Sequence, residues 1–222
     1  MNTAKAKKAI TLPTPATNLK VNVETLQHGS ALYRVHSDKF DAVQFNPGLG
    51  NARFSPIAAQ TGTQIPTIYA ANNLAVALME TVFHDIPHTA GLKTYDVNKL
   101  TGRVVSVLEV TQNLQLAKLT GPSARKLGIS EAELIHSTAD CYPQTRQWAE
   151  AIHAQYPDIH GLVWVSRQHS DGKAYLLFGD RMPSNALTTL RDKAPILSTD
   201  DVVQQINQLA DDMGVEFKDN NL

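Results

Sequence analysis

The segment Leu74–Met79 is apolar at every position, and Asn72 or Asn73 just ahead of it can cap the start of a helix. A helix apolar all round belongs inside a molecule rather than on its surface. Glu80 follows the run directly, with Val82 and Phe83 just beyond it. An ionised carboxylate in such surroundings needs a partner or a shifted pKa. A second reading puts Glu80 on a narrow exposed strip beside Thr81, and periodicity leaves both open.

The remaining pattern predicts a mixture of strands and helices. Ala31–Val35 reads as a short strand, and Pro66–Ala70 as a strand feeding the Glu80 helix. Leu92–Val97 and Arg103–Val110 read as two strands of a hairpin. Gly161–Ser166 and Lys173–Phe178 read as another, turning at Ser170-Asp171-Gly172. Helices are expected from Pro122 to Gly128, from the capping box Ser130–Glu133, over Tyr142–Ile152, and from Asp200 to Met213 with Gly214 as its stop. Trp148 sits at helical spacing with Ile152 and is expected in the core. Residues 1–17, basic and broken by Pro13 and Pro15, read as a flexible tail. Residues 111–137 are more polar and read as a peripheral helical insert. No linker divides residues 18–222. The expected fold class is therefore α+β: a single domain, mostly antiparallel sheet, with flanking helices.

Composition narrows the function. At 222 residues with 42% hydrophobic content, a sizeable core is affordable. A net charge of -1 gives no reason to expect a nucleic-acid or membrane surface. The one cysteine, Cys141, excludes an internal disulfide and any Cys-x-x-Cys zinc site, which fits a reducing compartment. No apolar run approaches membrane-spanning length, and none follows Lys5, Lys7 and Lys8 in signal-peptide fashion, so a cytoplasmic location is expected.

Three polar residues stand at strand ends or in the apolar helix: Arg34, Glu80 and Ser166. Arg53 and Tyr69 come next. Paired arginines suit a phosphate-rich ligand, because each guanidinium can bind phosphate through two parallel hydrogen bonds. The same cations would keep a buried Glu80 ionised. The bland readings are a solvated Arg53, an Arg34 that only neutralises Glu80, and an ordinary strand serine at 166. No Gly-x-Ser-x-Gly elbow marks Ser166 as a nucleophile. Gly48-x-Gly50 lacks the third glycine of a dinucleotide loop. His84 and His88 have a helical metal spacing, but Pro87 lies between them, so no metal is expected. The residues alone reach an anionic-ligand pocket with one carboxylate.

Taken in order, these pieces resemble the RES-domain family, named for an arginine, a glutamate and a serine. The resemblance runs through Leu32-Tyr33-Arg34, Asn51-Ala52-Arg53-Phe54-Ser55, Ile68-Tyr69-Ala70-Ala71, Ala77-Leu78-Met79-Glu80 and Gly161 to Ser166. Thr145-Arg146-Gln147-Trp148-Ala149 adds to it. Asn51-Ala52 departs from the glycine expected before Arg53. The resemblance implies a fold similar to ADP-ribosyltransferase toxins. It implies a toxin of a type II toxin–antitoxin pair, in homo- or hetero-oligomeric assembly with an Xre-like helix-turn-helix antitoxin. It implies destruction of NAD+ by hydrolysis or phosphorolysis of the nicotinamide–ribose bond, with NAD+ as substrate, inorganic phosphate as the co-substrate of the second route, and no cofactor. The implied site is Arg34, Arg53, Tyr69, Glu80 and Ser166: Glu80, Arg34 and Ser166 as catalytic residues, Arg34, Arg53, Tyr69 and Ser166 as NAD+-binding ones. A mono-ADP-ribosyltransferase and a non-catalytic interaction module on the same fold are the alternatives.

Overall fold

The computed structural model describes residues 11–169 and 172–219. Residues 1–10 of the expected tail and Ser170 and Asp171 of the expected turn lie outside the described residues. Strands β1 (Val23–Leu26) and β2 (Ala31–Ser37) come first, then the short β3 (Ile57–Ala58) and β4 (Gln64–Ile65), then β5 (Thr67–Ala71). Helix α1 (Leu74–Thr81) follows β5 almost at once, ahead of β6 (Lys93–Asp96), β7 (Arg103–Val110) and β8 (Leu114–Lys118). Helices α2 (Pro122–Leu127), α3 (Glu131–Leu134) and α4 (Tyr142–Gln155) precede β9 (Gly161–Val165) and β10 (Lys173–Phe178). Strand β11 (Leu187–Pro195), helix α5 (Asp200–Met213) and β12 (Val215–Lys218) close the described chain.

Eight strands form one sheet in the order β1-β8-β9-β10-β5-β2-β7-β11. It is antiparallel except at β8–β9, so the α+β expectation holds. Strands β2 and β5 share a single rung, Tyr33 opposite Ala71. Beyond it they part, and Thr67 exchanges backbone hydrogen bonds with Asn46 instead. The sheet therefore opens between β2 and β5, and the opening is where the cavity lies.

Three apolar clusters explain why α1 is apolar all round. Val76 and Ala77 face the sheet, among Trp164, Ala174 and Leu176. Leu78, Met79, Val82 and Phe83 face the other way, against Val202, Ile206 and Leu209 of α5 and Val215 of β12. A second face of the sheet is filled by Leu32, Ile68, Leu108 and Leu116. Packed between sheet and α5, α1 keeps its polar residues, Glu80 and Thr81, to the face that is not covered. Trp148 is buried as expected.

Three expectations are corrected. Strands β6 and β7 do not form a hairpin. Asp96 accepts the Asn98 N–H at 3.0 Å and starts a tight turn over Val97–Leu100, while β6 pairs in parallel with β12. The insert over 111–137 is not peripheral, because it contains β8, where Leu114, Leu116 and Ala117 are fully buried inside the main sheet. The described part of the expected tail is held against α4. Leu12 is buried, Trp148 Nε1 donates to the Pro13 carbonyl at 3.0 Å, and Gln155 Nε2 donates to the Ala16 carbonyl at 2.9 Å. Covering the apolar flank of α4 outweighs the freedom the prolines suggest. Among the described residues, no helix is long and apolar enough to cross a membrane.

Candidate active site

Asn73 caps α1 by accepting the Val76 N–H at 2.8 Å. Asn72 ties the same end to β10: its Oδ1 accepts the Lys173 N–H at 2.8 Å, and its own N–H bonds the Lys173 carbonyl at 3.0 Å. Gly172 makes this approach feasible. A Cβ there would lie 2.3 Å from Val76 Cγ2 and 2.8 Å from Asn72 Oδ1. Helix α1 is thus locked to the β9–β10 hairpin, and the side chains of Ala77, Glu80 and Thr81, with His84 just past the helix end, line one cavity. That spacing is one helical face.

Glu80 is half-buried, neither sunk in hydrocarbon nor on an outward strip. Its Oε1 accepts a hydrogen bond from Ser166 Oγ at 2.6 Å. Ser166 is 2% exposed, and its Oγ also receives the backbone N–H groups of Gln168 at 3.2 Å and His169 at 3.1 Å. A hydroxyl has one proton and two lone pairs. With both lone pairs met by amides, the proton has one direction left, toward Glu80. Ser166 therefore fixes the carboxylate from behind and does not line the cavity. The same bonding leaves its oxygen no free lone pair for attack.

The cavity encloses about 420 Å3 and is lined by Arg34, Arg53, Arg103 and Arg167, with Glu80 the only carboxylate among its described lining residues. Arg34 is 5% exposed, and burial pushes its guanidinium down to about 10. Its Nη1 donates to the carbonyls of Ala42 at 2.6 Å and Asp41 at 3.2 Å. Next to it, burial and the Arg34 charge push the His36 imidazole down to about 4. His36 Nδ1 lies 2.9 Å from the Ser37 carbonyl, which can only accept, so Nδ1 carries the proton. Nε2 then accepts from Ser106 Oγ at 2.8 Å, and Ser106 in turn accepts the Lys193 N–H at 3.1 Å.

Arg53 occupies different ground. Its Nη1 donates to Ser137 Oγ at 2.8 Å and to the Ser137 carbonyl at 3.0 Å, and its guanidinium carbon sits 5.1 Å from the centre of the Tyr142 ring. Burial lowers its pKa, Tyr142 and Glu80 oppose that, and Arg167 adds to it. Tyr69 holds the loop behind Arg53: its hydroxyl accepts the Phe54 N–H at 2.8 Å, and burial raises its pKa. Its ring stands edge-on to Trp164 at 6.1 Å.

The family model for the RES domain matches residues 31–197. The chain belongs to the RES domain family. No curated protein matches it. The matched region of the RES domain contains all five residues singled out from the sequence. Arg34, Arg53, Tyr69 and Glu80 meet on the cavity wall, and Ser166 stands behind Glu80. The expected pairing of Glu80 with the arginines is not made. Among the described residues, no ion pair within 4.0 Å includes Glu80, because carbonyl oxygens of the loops after β2 and α3 hold both guanidiniums. Ser166 takes the place reserved for a cation.

Sequence reasoning singles out neither Arg103 nor Arg167. Arg167 follows Ser166 in the chain, and that adjacency was the available signal. Arg103 pairs with Ser37 across β7 and β2, which requires knowing the register. His84 and His88 share no metal cluster: among the described residues, no group of three or more His, Cys, Asp or Glu could hold an ion. His84 lies instead 3.1 Å from Asp85 at the cavity edge.

Proposed function

We propose that this RES domain is a toxin that destroys NAD+ by breaking the bond between nicotinamide and ribose, with water or inorganic phosphate as acceptor. The family is one of NAD-related enzymes, and the charge pattern of the cavity carries the reading further. Four arginines and one oriented carboxylate suit a ligand with negative phosphates and a centre that becomes positive. The volume falls within the roughly 300–1,000 Å3 of small-molecule sites.

The chemistry needs only one carboxylate. Most glycosidases use two, one of them to protonate the leaving oxygen. In NAD+ the nicotinamide nitrogen is already cationic. When the C–N bond breaks, the electron pair stays on nitrogen and a neutral pyridine leaves without a proton. Positive charge then builds on the ribose, and Glu80, aimed by Ser166, stabilises it or holds its hydroxyls. Water or phosphate adds to the anomeric carbon, and water gives up a proton in doing so. Tyr69 borders the nicotinamide ring, and Arg34 and Arg53 bind phosphate. The reading extends to a partner, an Xre-like helix-turn-helix antitoxin covering the cavity mouth. A gene for such a protein beside this one supports that extension, and its absence counts against it.

The single observation behind the reading is a cavity wall that sets four arginines around one carboxylate, Glu80, which Ser166 Oγ holds at 2.6 Å. Mass spectrometry of NAD+ incubated with the purified chain tests it. Free nicotinamide with ADP-ribose, or with its phosphorylated form, is expected and also names the acceptor. ADP-ribose found only on protein selects the transferase instead. Unconsumed NAD+ overturns the reading.

A further inference from the structure

Three of the cavity's arginines, Arg34, Arg53 and Arg167, divide by the company they keep. Arg34 has the neutral His36 beside it and gives its Nη1 to the Asp41 and Ala42 carbonyls. Arg53 feels Glu80, Tyr69, Tyr142 and Arg167 together. The cation nearest Arg53 by shared contacts is Arg167, from the turn just after β9, and the residue before it, Ser166, holds Glu80.

Arg53 and Arg167 converge on the same stretch of backbone. Arg53 Nη1 is 3.0 Å from the Ser137 carbonyl, and Arg167 Nη1 approaches that oxygen at 3.5 Å while bonding the His136 carbonyl at 2.9 Å. Like charges drawn to one acceptor disfavour each other. Among the described residues, neither has a carboxylate within 4.0 Å to offset this. Both are held through Nη1 alone: among the described residues, their Nε and Nη2 atoms make no hydrogen bond. That leaves on each guanidinium the edge that binds phosphate bidentately.

We propose that Arg167 is a ligand-binding residue of this site and forms, with Arg53, a single phosphate clamp at the Glu80 end of the cavity. The inference rests on the proposed function and goes beyond it by naming the second half of the clamp. It places the phosphate nearest the reacting ribose on this pair and not on Arg34. An anion there relieves the repulsion between the guanidiniums and supplies the counter-charge that carbonyls only imitate.

Titration calorimetry of the full chain with ADP and with nicotinamide riboside, which has no phosphate, is the test. Arg167→Ala is expected to weaken ADP binding about 10- to 100-fold, the loss of a charge-assisted contact. Nicotinamide riboside binding should change less than about twofold, and the salt dependence of ADP binding should flatten. Should Arg167→Ala melt early, Arg167→Lys carries the test. It keeps the charge and loses the fork, so ADP binding should weaken about 3- to 10-fold. Wild-type ADP affinity in either well-folded variant overturns the clamp. ADP affinity that depends on Arg167 in a chain releasing no nicotinamide from NAD+ upholds the clamp and removes the catalytic reading. Cleavage of NAD+ with an unchanged KM and ADP affinity in Arg167→Ala does the reverse. A wild-type chain that binds no ADP ends both.

Discussion

At one end of the cavity Arg34 is 5% exposed, beside a neutral His36, with its Nη1 on the Asp41 and Ala42 carbonyls. At the other end Arg53 shares the Ser137 carbonyl with Arg167, stacks on Tyr142 and feels the charge of Glu80. The residue type is the same and the company is not. Besides the phosphate contact proposed for it, Arg34 fastens the loop after β2 that forms one wall of the cavity. Arg53 stands beside Arg167, whose neighbour Ser166 holds Glu80.

Mutations should split along that line. Arg53→Ala is expected to lower kcat/KM for NAD+ about 100-fold, from the loss of a guanidinium–phosphate contact, with a smaller fall in melting temperature than Arg34→Ala because half-buried Ser137 can turn to water. A loss of only a few-fold would reduce Arg53 to positioning ligand. Ser166→Ala removes the donor that orients Glu80 and leaves the Gln168 and His169 N–H groups unmet. A fall in kcat of roughly tenfold is expected, with about 1–3 kcal/mol less stability and KM nearly unchanged. A variant with wild-type kcat would show that the Ser166–Glu80 bond is structural only. Arg34→Ala should invert the Arg53 pattern. Denaturant melts should show about 1–3 kcal/mol lost from the unmet carbonyls, while kcat/KM drops less than in Arg53→Ala. An activity loss as large as that of Arg53→Ala would erase the contrast between the ends.

The smallest effect concerns His36. Its imidazole is pushed from 6.5 to about 4, so the folded protein resists a proton that the unfolded chain accepts. Its contribution to stability is therefore present above pH 6.5 and is lost as pH falls from 6.5 toward 4. His153 shifts in the same direction through burial, so part of the slope will remain without His36. Comparing denaturant melts at pH 7.5 and 5, His36→Asn should show a smaller difference than the wild type. An equal difference would contradict the buried, neutral histidine.

What the sequence discloses follows from how local each signal is. The α1 helix was legible because its cap, Asn73, and its apolar run are adjacent, and the β9–β10 hairpin because both strands flank one turn. Strand β6 was misassigned to β7 because its partner, β12, lies far along the chain, and parallel pairing leaves no turn to read. Strand β11 was missed because its middle, Thr188 to Asp192, is exposed and shows no alternation, with register shifts interrupting its pairing to β7. At the candidate site, residue types and order point first to Arg34, Glu80 and Ser166 and next to Arg53 and Tyr69, which the fold brings to one cavity with Ser166 behind Glu80. The partner of Glu80 could not be read, because it depends on where the loops after β2 and α3 place their carbonyls. Those carbonyls hold the arginines and leave the carboxylate to a serine.

The most direct measurement is nicotinamide release from NAD+ by the purified chain and by Glu80→Gln, which keeps the shape and removes the charge. The wild type should release nicotinamide steadily and the variant should lose roughly 100- to 1,000-fold, with NAD+ still bound. Equal release by the two would contradict the role given to Glu80.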